Sequence, residues 1–66
     1  MSTIERLYGY CLDQENEYLK LCEALGAKHY MVTEKLQELI GVERAFKYLS
    51  GYTVTDYTIM LLKREV

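Results

Sequence analysis

The segment that decides the fold is STIERLYGYCLDQENEYLKLCEAL, residues 2–25, which carries a helix start signal and a helical apolar repeat. Ser2 precedes Glu5 by three residues, the spacing of a capping box, in which the serine hydroxyl accepts a hydrogen bond from the glutamate backbone N–H. Apolar side chains then recur at alternating steps of four and three residues, and Gly26 follows as a natural terminator. These signals predict one helix from Thr3 to Leu25.

The repeating positions of this helix form a heptad seam, the pattern of helices that pack on one another. Glu15 places a carboxylate in this otherwise apolar row. The carboxylate either pairs with a cation such as Lys28, His29 or Lys35 and fixes the pairing of two copies, or simply reaches solvent. The predicted dimer seam consists of Ile4, Tyr8, Cys11, Glu15, Tyr18, Cys22 and Leu25.

The first helix would be about 34 Å long, more than a chain of 66 residues can cover by itself. Domains this small usually need a disulfide, a metal or oligomerisation. Cys11 and Cys22 would lie about 16 Å apart on one helix, too far to bridge, so we expect both thiols in the core. One histidine and two distant cysteines do not have zinc-site spacing. We therefore expect a homodimer with no metal and no cofactor.

In the middle of the chain, the sequence pattern predicts helices shorter than the first one. Thr33 is placed to cap a helix that carries leucine and isoleucine side chains at helical spacing, and Gly41 then interrupts the pattern. The pattern resumes as far as Ser50 and Gly51, which end it. The expected structure is two short helices, or one bent helix.

The last segment is rich in β-branched and aromatic residues, which favour strands, but its end signals favour a helix. Thr55 is a good N-cap, and Asp56 would lie in the first turn, where a negative charge is stabilising. Val54 and Ile59 have the spacing of a hydrophobic staple, and basic residues close the segment. The apolar run 59–62 points all round such a helix, which predicts burial on several sides.

Together these elements predict an all-α domain over residues 1–66. A long amino-terminal helix packs on two short helices and a carboxy-terminal helix, forming a small, dimeric helical bundle. A net charge of -2 gives no field that would attract nucleic acid or anionic lipid. No apolar run approaches the roughly 20 residues that cross a bilayer, and no export signal is visible. We expect a cytoplasmic protein that does not associate with membranes.

The aromatic residues are strongly skewed, with seven tyrosines and no tryptophan. Tyrosine is enriched at protein interfaces because it combines a large contact area with a hydrogen-bonding tip, although it also forms the half-buried rim of small cores. The lone His29 has no evident nucleophile or acid–base partner, so we expect no enzyme activity and no small-molecule substrate. The favoured function is that of a regulatory or inhibitory protein that binds a larger protein partner. Its predicted partner surface is Tyr10, Tyr30, Tyr48 and Tyr52.

The sequence LQELIGVER, residues 36–44, supports an alternative function because it resembles the centre of a helix-turn-helix. The resemblance implies a dimeric DNA-binding regulator whose contacts to DNA would come from Arg44 and Lys47. Two positions depart from the pattern, since Gln37 stands where a small residue is usual and Lys47 where an apolar one is usual. An ordinary helix–glycine–helix corner is the competing structural interpretation.

Overall fold

A computed structural model describes residues 2–65, apart from the side chain of Glu65, and this part of the chain is all-helical, as predicted. Three α-helices follow one another: α1 (Thr3–Leu25), α2 (Tyr30–Ser50) and α3 (Val54–Glu65). They pack as a small bundle with principal extents of 38 × 24 × 18 Å. Within residues 2–65, none of the helices combines the length and apolar character that a bilayer crossing requires.

The first helix has the predicted ends. The hydroxyl of Ser2 accepts a hydrogen bond of 3.2 Å from the backbone N–H of Glu5. At the other end Gly26 adopts a φ of +86°, and its N–H donates to the carbonyl of Cys22 at 2.9 Å. Both end signals depend on hydrogen bonds within four residues, so they do not depend on how the rest of the chain packs.

The second segment is one helix and not the two short helices of the other predicted alternative. α2 runs without a break through Gly41, at which an added Cβ would meet only open space. Its N-cap is His29 and not Thr33: the ring Nδ1 of His29 accepts from the backbone N–H of Met31 at 3.2 Å. A glycine inside a helix is unfavourable by only about 1 kcal/mol, less than the packing of one buried side chain contributes.

This arrangement predicts that Gly41→Ala stabilises the protein by about 0.5–1 kcal/mol, because alanine is the better helix former and fits without contact. The melting temperature should rise by a few degrees, which thermal unfolding followed by circular dichroism measures. As a control, Gly51→Ala should lower it, because Gly51 ends α2 at a φ of +80° that alanine adopts poorly. A lower melting temperature for Gly41→Ala would contradict a continuous α2.

The third helix is present, but its cap lies two residues before the predicted one. The Oγ1 of Thr53, not that of Thr55, accepts from the backbone N–H of Asp56 at 3.0 Å. The hydrophobic staple moves with the cap. It joins Tyr52 to Tyr57, with ring centroids 6.3 Å apart, in place of the predicted pair. Asp56 still lies in the first turn, as predicted.

The core lies where the three helices meet. α1 and α2 form an antiparallel hairpin, in which Cys11 lies beside Val42 and Tyr8 beside Phe46. α3 then packs on the amino-terminal half of α1 and the carboxy-terminal half of α2. The central buried side chains are Cys11, Phe46, Val54 and Tyr57. Further towards the α1–α2 turn, Val32 and Leu39 are also buried.

Candidate protein-binding surface

Two of the seven tyrosines belong to the core. Tyr8, Phe46 and Tyr57 form an aromatic cluster, with ring centroids 4.8–5.9 Å apart. The Tyr8 hydroxyl is hydrogen-bonded to Oγ1 of Thr58, so its polar tip is satisfied inside the fold. These tyrosines hold α3 on the hairpin and are not available to a partner.

All four tyrosines of the predicted partner surface are exposed. The exposed fraction is 49% for Tyr10, 68% for Tyr30, 89% for Tyr48 and 45% for Tyr52. Tyr30 and Tyr48 are both on α2, about five full turns apart, so they point in the same direction with about 27 Å between them. Tyr10 lies on α1, and Tyr52 packs against Tyr57 at the start of α3. The structure therefore aligns two of the four and leaves the other two apart.

A continuous strip of α2 connects Tyr30 to Tyr48 on the side opposite the buried residues. Helical spacing places Gln37, Gly41 and Arg44 between them, and all three are exposed. We call these five residues the α2 outer face. Gly41 leaves a flat patch at its middle, because nothing lies within 4 Å of the position of a Cβ. At one end, the ring of His29 stacks on Tyr30 with centroids 4.8 Å apart.

Comparison of the chain with protein-family models, curated proteins and solved structures found no match.

The predicted dimer seam is divided between the core and the surface. Tyr8 and Cys11 lie inside the bundle, and Ile4 packs against the same core. The carboxy-terminal half of the seam is more open: Glu15 is exposed, Leu25 is 40% exposed, and Tyr18 and Cys22 are half-buried. This half of the seam is therefore the more accessible one to another molecule. Sequence periodicity could not separate the halves, because the position of α3 decides which of them is covered.

Lys35 joins α1 to α2 through Glu17. Its Nζ lies 2.7 Å from Oε2 of Glu17 and 3.7 Å from Oε2 of Glu38, and it also donates to the side-chain oxygen of Gln14. The hydrogen bond from Lys35 lowers the pKa of Glu17, and the same bond raises the pKa of Lys35. Glu15 is exposed, which agrees with the second of the two interpretations given for it, that its carboxylate reaches solvent.

The side chains proposed for DNA contact lie beside an open cavity of about 220 Å³ between α2 and the start of α3. Arg44 and Lys47 are at its edge with Glu43, and the apolar lining comes from Ile40 and Val54. The turn that a helix-turn-helix requires at Gly41 is not formed, because α2 is continuous there. The helix–glycine–helix corner is therefore wrong.

The two cysteines are both unpaired but differ in environment. Cys11 is 1% exposed, with its Sγ 3.9 Å from the carbonyl of Val42, which confirms the prediction of a core thiol. Burial raises the pKa of the Cys11 thiol, and the nearby carboxylates of Glu43 and Glu15 raise it further. Cys22 is only half-buried, so the prediction of a core position is too strong for this residue.

These environments predict selective alkylation. In the native protein, iodoacetamide should modify Cys22 roughly tenfold or more faster than Cys11, because alkylation requires an accessible thiolate. Peptide mass spectrometry at successive times measures both rates in one sample. In denaturant the two rates should become similar. Faster labelling of Cys11 in the native protein would contradict its place in the core.

Proposed function

We propose that this chain is a small, non-enzymatic regulatory or inhibitory protein that binds a larger protein through the α2 outer face. The observation that supports the proposal best is the 89% exposure of Tyr48, aligned with the 68% exposed Tyr30 on the same side of one helix. Neither ring belongs to the core that residues 2–65 form. Large aromatic side chains without a role in the fold are the usual anchors of protein interfaces.

The chemistry of the α2 outer face suits a helix or a flat surface on the partner. Tyrosine and arginine are enriched among the residues that contribute most to binding, and both are present on this face as Tyr30, Tyr48 and Arg44. Between the two tyrosines, Gly41 allows a partner backbone to approach α2 closely. Tyr10 and Tyr52 extend the proposed surface if the partner wraps around the bundle.

The proposal also includes self-association as a homodimer and a cytoplasmic location. Within residues 2–65, twelve large apolar side chains are exposed, and a domain with so small a core would gain stability if a second copy covered part of them. Two unpaired thiols suit a reducing compartment. The motif that favoured DNA binding requires a turn at Gly41, where α2 is continuous.

Affinity capture from the native host, followed by mass spectrometry, tests the class of partner. The expected result is one dominant protein that remains bound as the salt concentration rises, because an aromatic interface responds little to screening. Nucleic acid that elutes steeply with salt would contradict the proposal, since counterion release makes phosphate contacts strongly salt-dependent.

A further inference from the structure

The third helix has apolar side chains on two opposite faces, and the bundle covers only one of them. Val54 and Tyr57 are buried, and Leu61 packs against the core on the same side. Ile59 is 45% exposed and Leu62 is 58% exposed. A helix that is apolar all round is normally buried on all sides, so this second face is unpartnered within one chain.

Two charged residues lie at the ends of the uncovered face. Asp56 is in the first turn of α3 and Lys63 in the last turn, and both are exposed. They are seven residues apart, so they share one side of the helix, with Ile59 between them and Leu62 beside Ile59 at one edge. We call Asp56, Ile59, Leu62 and Lys63 the α3 outer face. Its order is negative, apolar, positive.

This order is complementary to itself in one orientation only. When two copies of the α3 outer face pack antiparallel, Asp56 of each lies near Lys63 of the other, the two Ile59 side chains meet between them, and each Leu62 covers one edge of the contact. Parallel packing would place like charges together, which is unfavourable. Antiparallel packing also brings opposite ends of the two helix dipoles together. The same patch on both copies, with reciprocal contacts, is the defining property of a two-fold interface.

We propose that a second copy of this chain occupies the α3 outer face, so that two α3 helices pack antiparallel about a two-fold axis. The inference rests on the proposed self-association and adds the surface and the direction of pairing. It also places the dimer contact on a different helix from the α2 outer face, which stays free for the protein partner.

Charge reversal tests the pairing directly. In a two-fold dimer, Asp56→Lys places two lysines opposite each other at both ends of the interface, and Lys63→Asp does the same with two aspartates. Each single variant should raise the dimer dissociation constant roughly tenfold, because two attractive contacts become repulsive. The double variant restores opposite charges and should return the constant to near the wild-type value. Sedimentation equilibrium at several concentrations measures all four proteins.

The double variant also excludes an explanation based on folding. Asp56 near the amino end and Lys63 near the carboxyl end both favour α3 through the helix dipole, so the double reversal is the least favourable for the helix itself. A purely structural effect would therefore make the double variant the weakest dimer. Restoration supports the interface, and a double variant weaker than either single one overturns it.

A second test substitutes an apolar residue of the α3 outer face, and a leucine of similar exposure on α2 serves as the control. Leu62→Ser should weaken the dimer at least as much as a single charge reversal, whereas Leu49→Ser on α2 should leave it unchanged. The two leucines are 58% and 59% exposed, so the substitutions remove similar solvent-exposed surface. Equal loss from both variants would overturn the assignment to α3.

The outcomes separate this inference from the proposed self-association. A wild-type chain that stays monomeric at every concentration overturns both. A dimer that none of the α3 substitutions weakens overturns the antiparallel α3 interface and leaves self-association intact. Partner capture is measured separately, so neither result affects the proposal for the α2 outer face.

Discussion

Phe46→Ala is expected to unfold most of the protein at ambient temperature. Phe46 is fully buried and packs against both core tyrosines. The centroid of its ring lies 5.9 Å from that of Tyr8 and 5.3 Å from that of Tyr57. Truncation of a buried phenylalanine costs about 3–5 kcal/mol through lost burial and the cavity that remains. A domain of this size has a total stability of roughly 3–5 kcal/mol, so the loss removes nearly all of it.

Far-UV circular dichroism during urea titration measures this effect. Phe46→Ala should show a helical signal well below that of the wild type without denaturant, and little or no folded baseline. Leu49→Ala serves as the control, because Leu49 is on the same helix but 59% exposed, and its loss should change stability by less than about 1 kcal/mol. Two variants with equal urea midpoints would show that the core is not centred on Phe46.

The sequence predicted α1 correctly because its two ends are determined locally. The hydroxyl of Ser2 and the positive φ of Gly26 act on backbone groups within four residues. The predicted caps of α2 and α3 are wrong because the local sequence does not distinguish the true capping residue from its neighbours. His29 is not a favoured capping residue, so Thr33 looked the better choice, and Thr53 and Thr55 are chemically equivalent candidates two residues apart. Which threonine caps α3 depends on where Tyr57 packs.

The break predicted at Gly41 shows the limit of helix propensity. Leu39 and Phe46 are both buried, on either side of the glycine in sequence, and only a continuous helix keeps them on one face of α2. The resulting burial outweighs the small unfavourable contribution of the glycine. A single sequence does not reveal that both residues are buried together, so the glycine alone indicates an interruption.

The residues of the candidate surface came from the sequence, but their arrangement did not. Tyr10, Tyr30, Tyr48 and Tyr52, predicted as a partner surface, are exposed, whereas Tyr8, predicted on the dimer seam, packs against the core. The alignment of Tyr30 with Tyr48 could not be predicted, because it requires one helix from residue 30 to residue 50. The pairing of Lys35 with Glu17 likewise depends on the register of α1 against α2, which no local signal sets.

The double substitution Tyr30→Ser and Tyr48→Ser is expected to abolish partner binding while leaving the fold unchanged. Truncation of a central interface tyrosine typically costs about 2 kcal/mol or more, so loss of both should weaken binding by roughly three orders of magnitude. The fold should persist because the two side chains are 68% and 89% exposed and do not belong to the core. Leu49→Ser, at the position next to Tyr48 but on another side of α2, provides the control.

Parallel capture with the wild type, the double tyrosine variant and Leu49→Ser tests the α2 outer face most directly. The three proteins are first matched by circular dichroism, then immobilised at equal density and exposed to the same extract. We predict that the wild type and Leu49→Ser retain the same dominant protein and that the double tyrosine variant does not. Equal retention by all three, or equal loss by both variants, would contradict a partner surface on the outer face of α2.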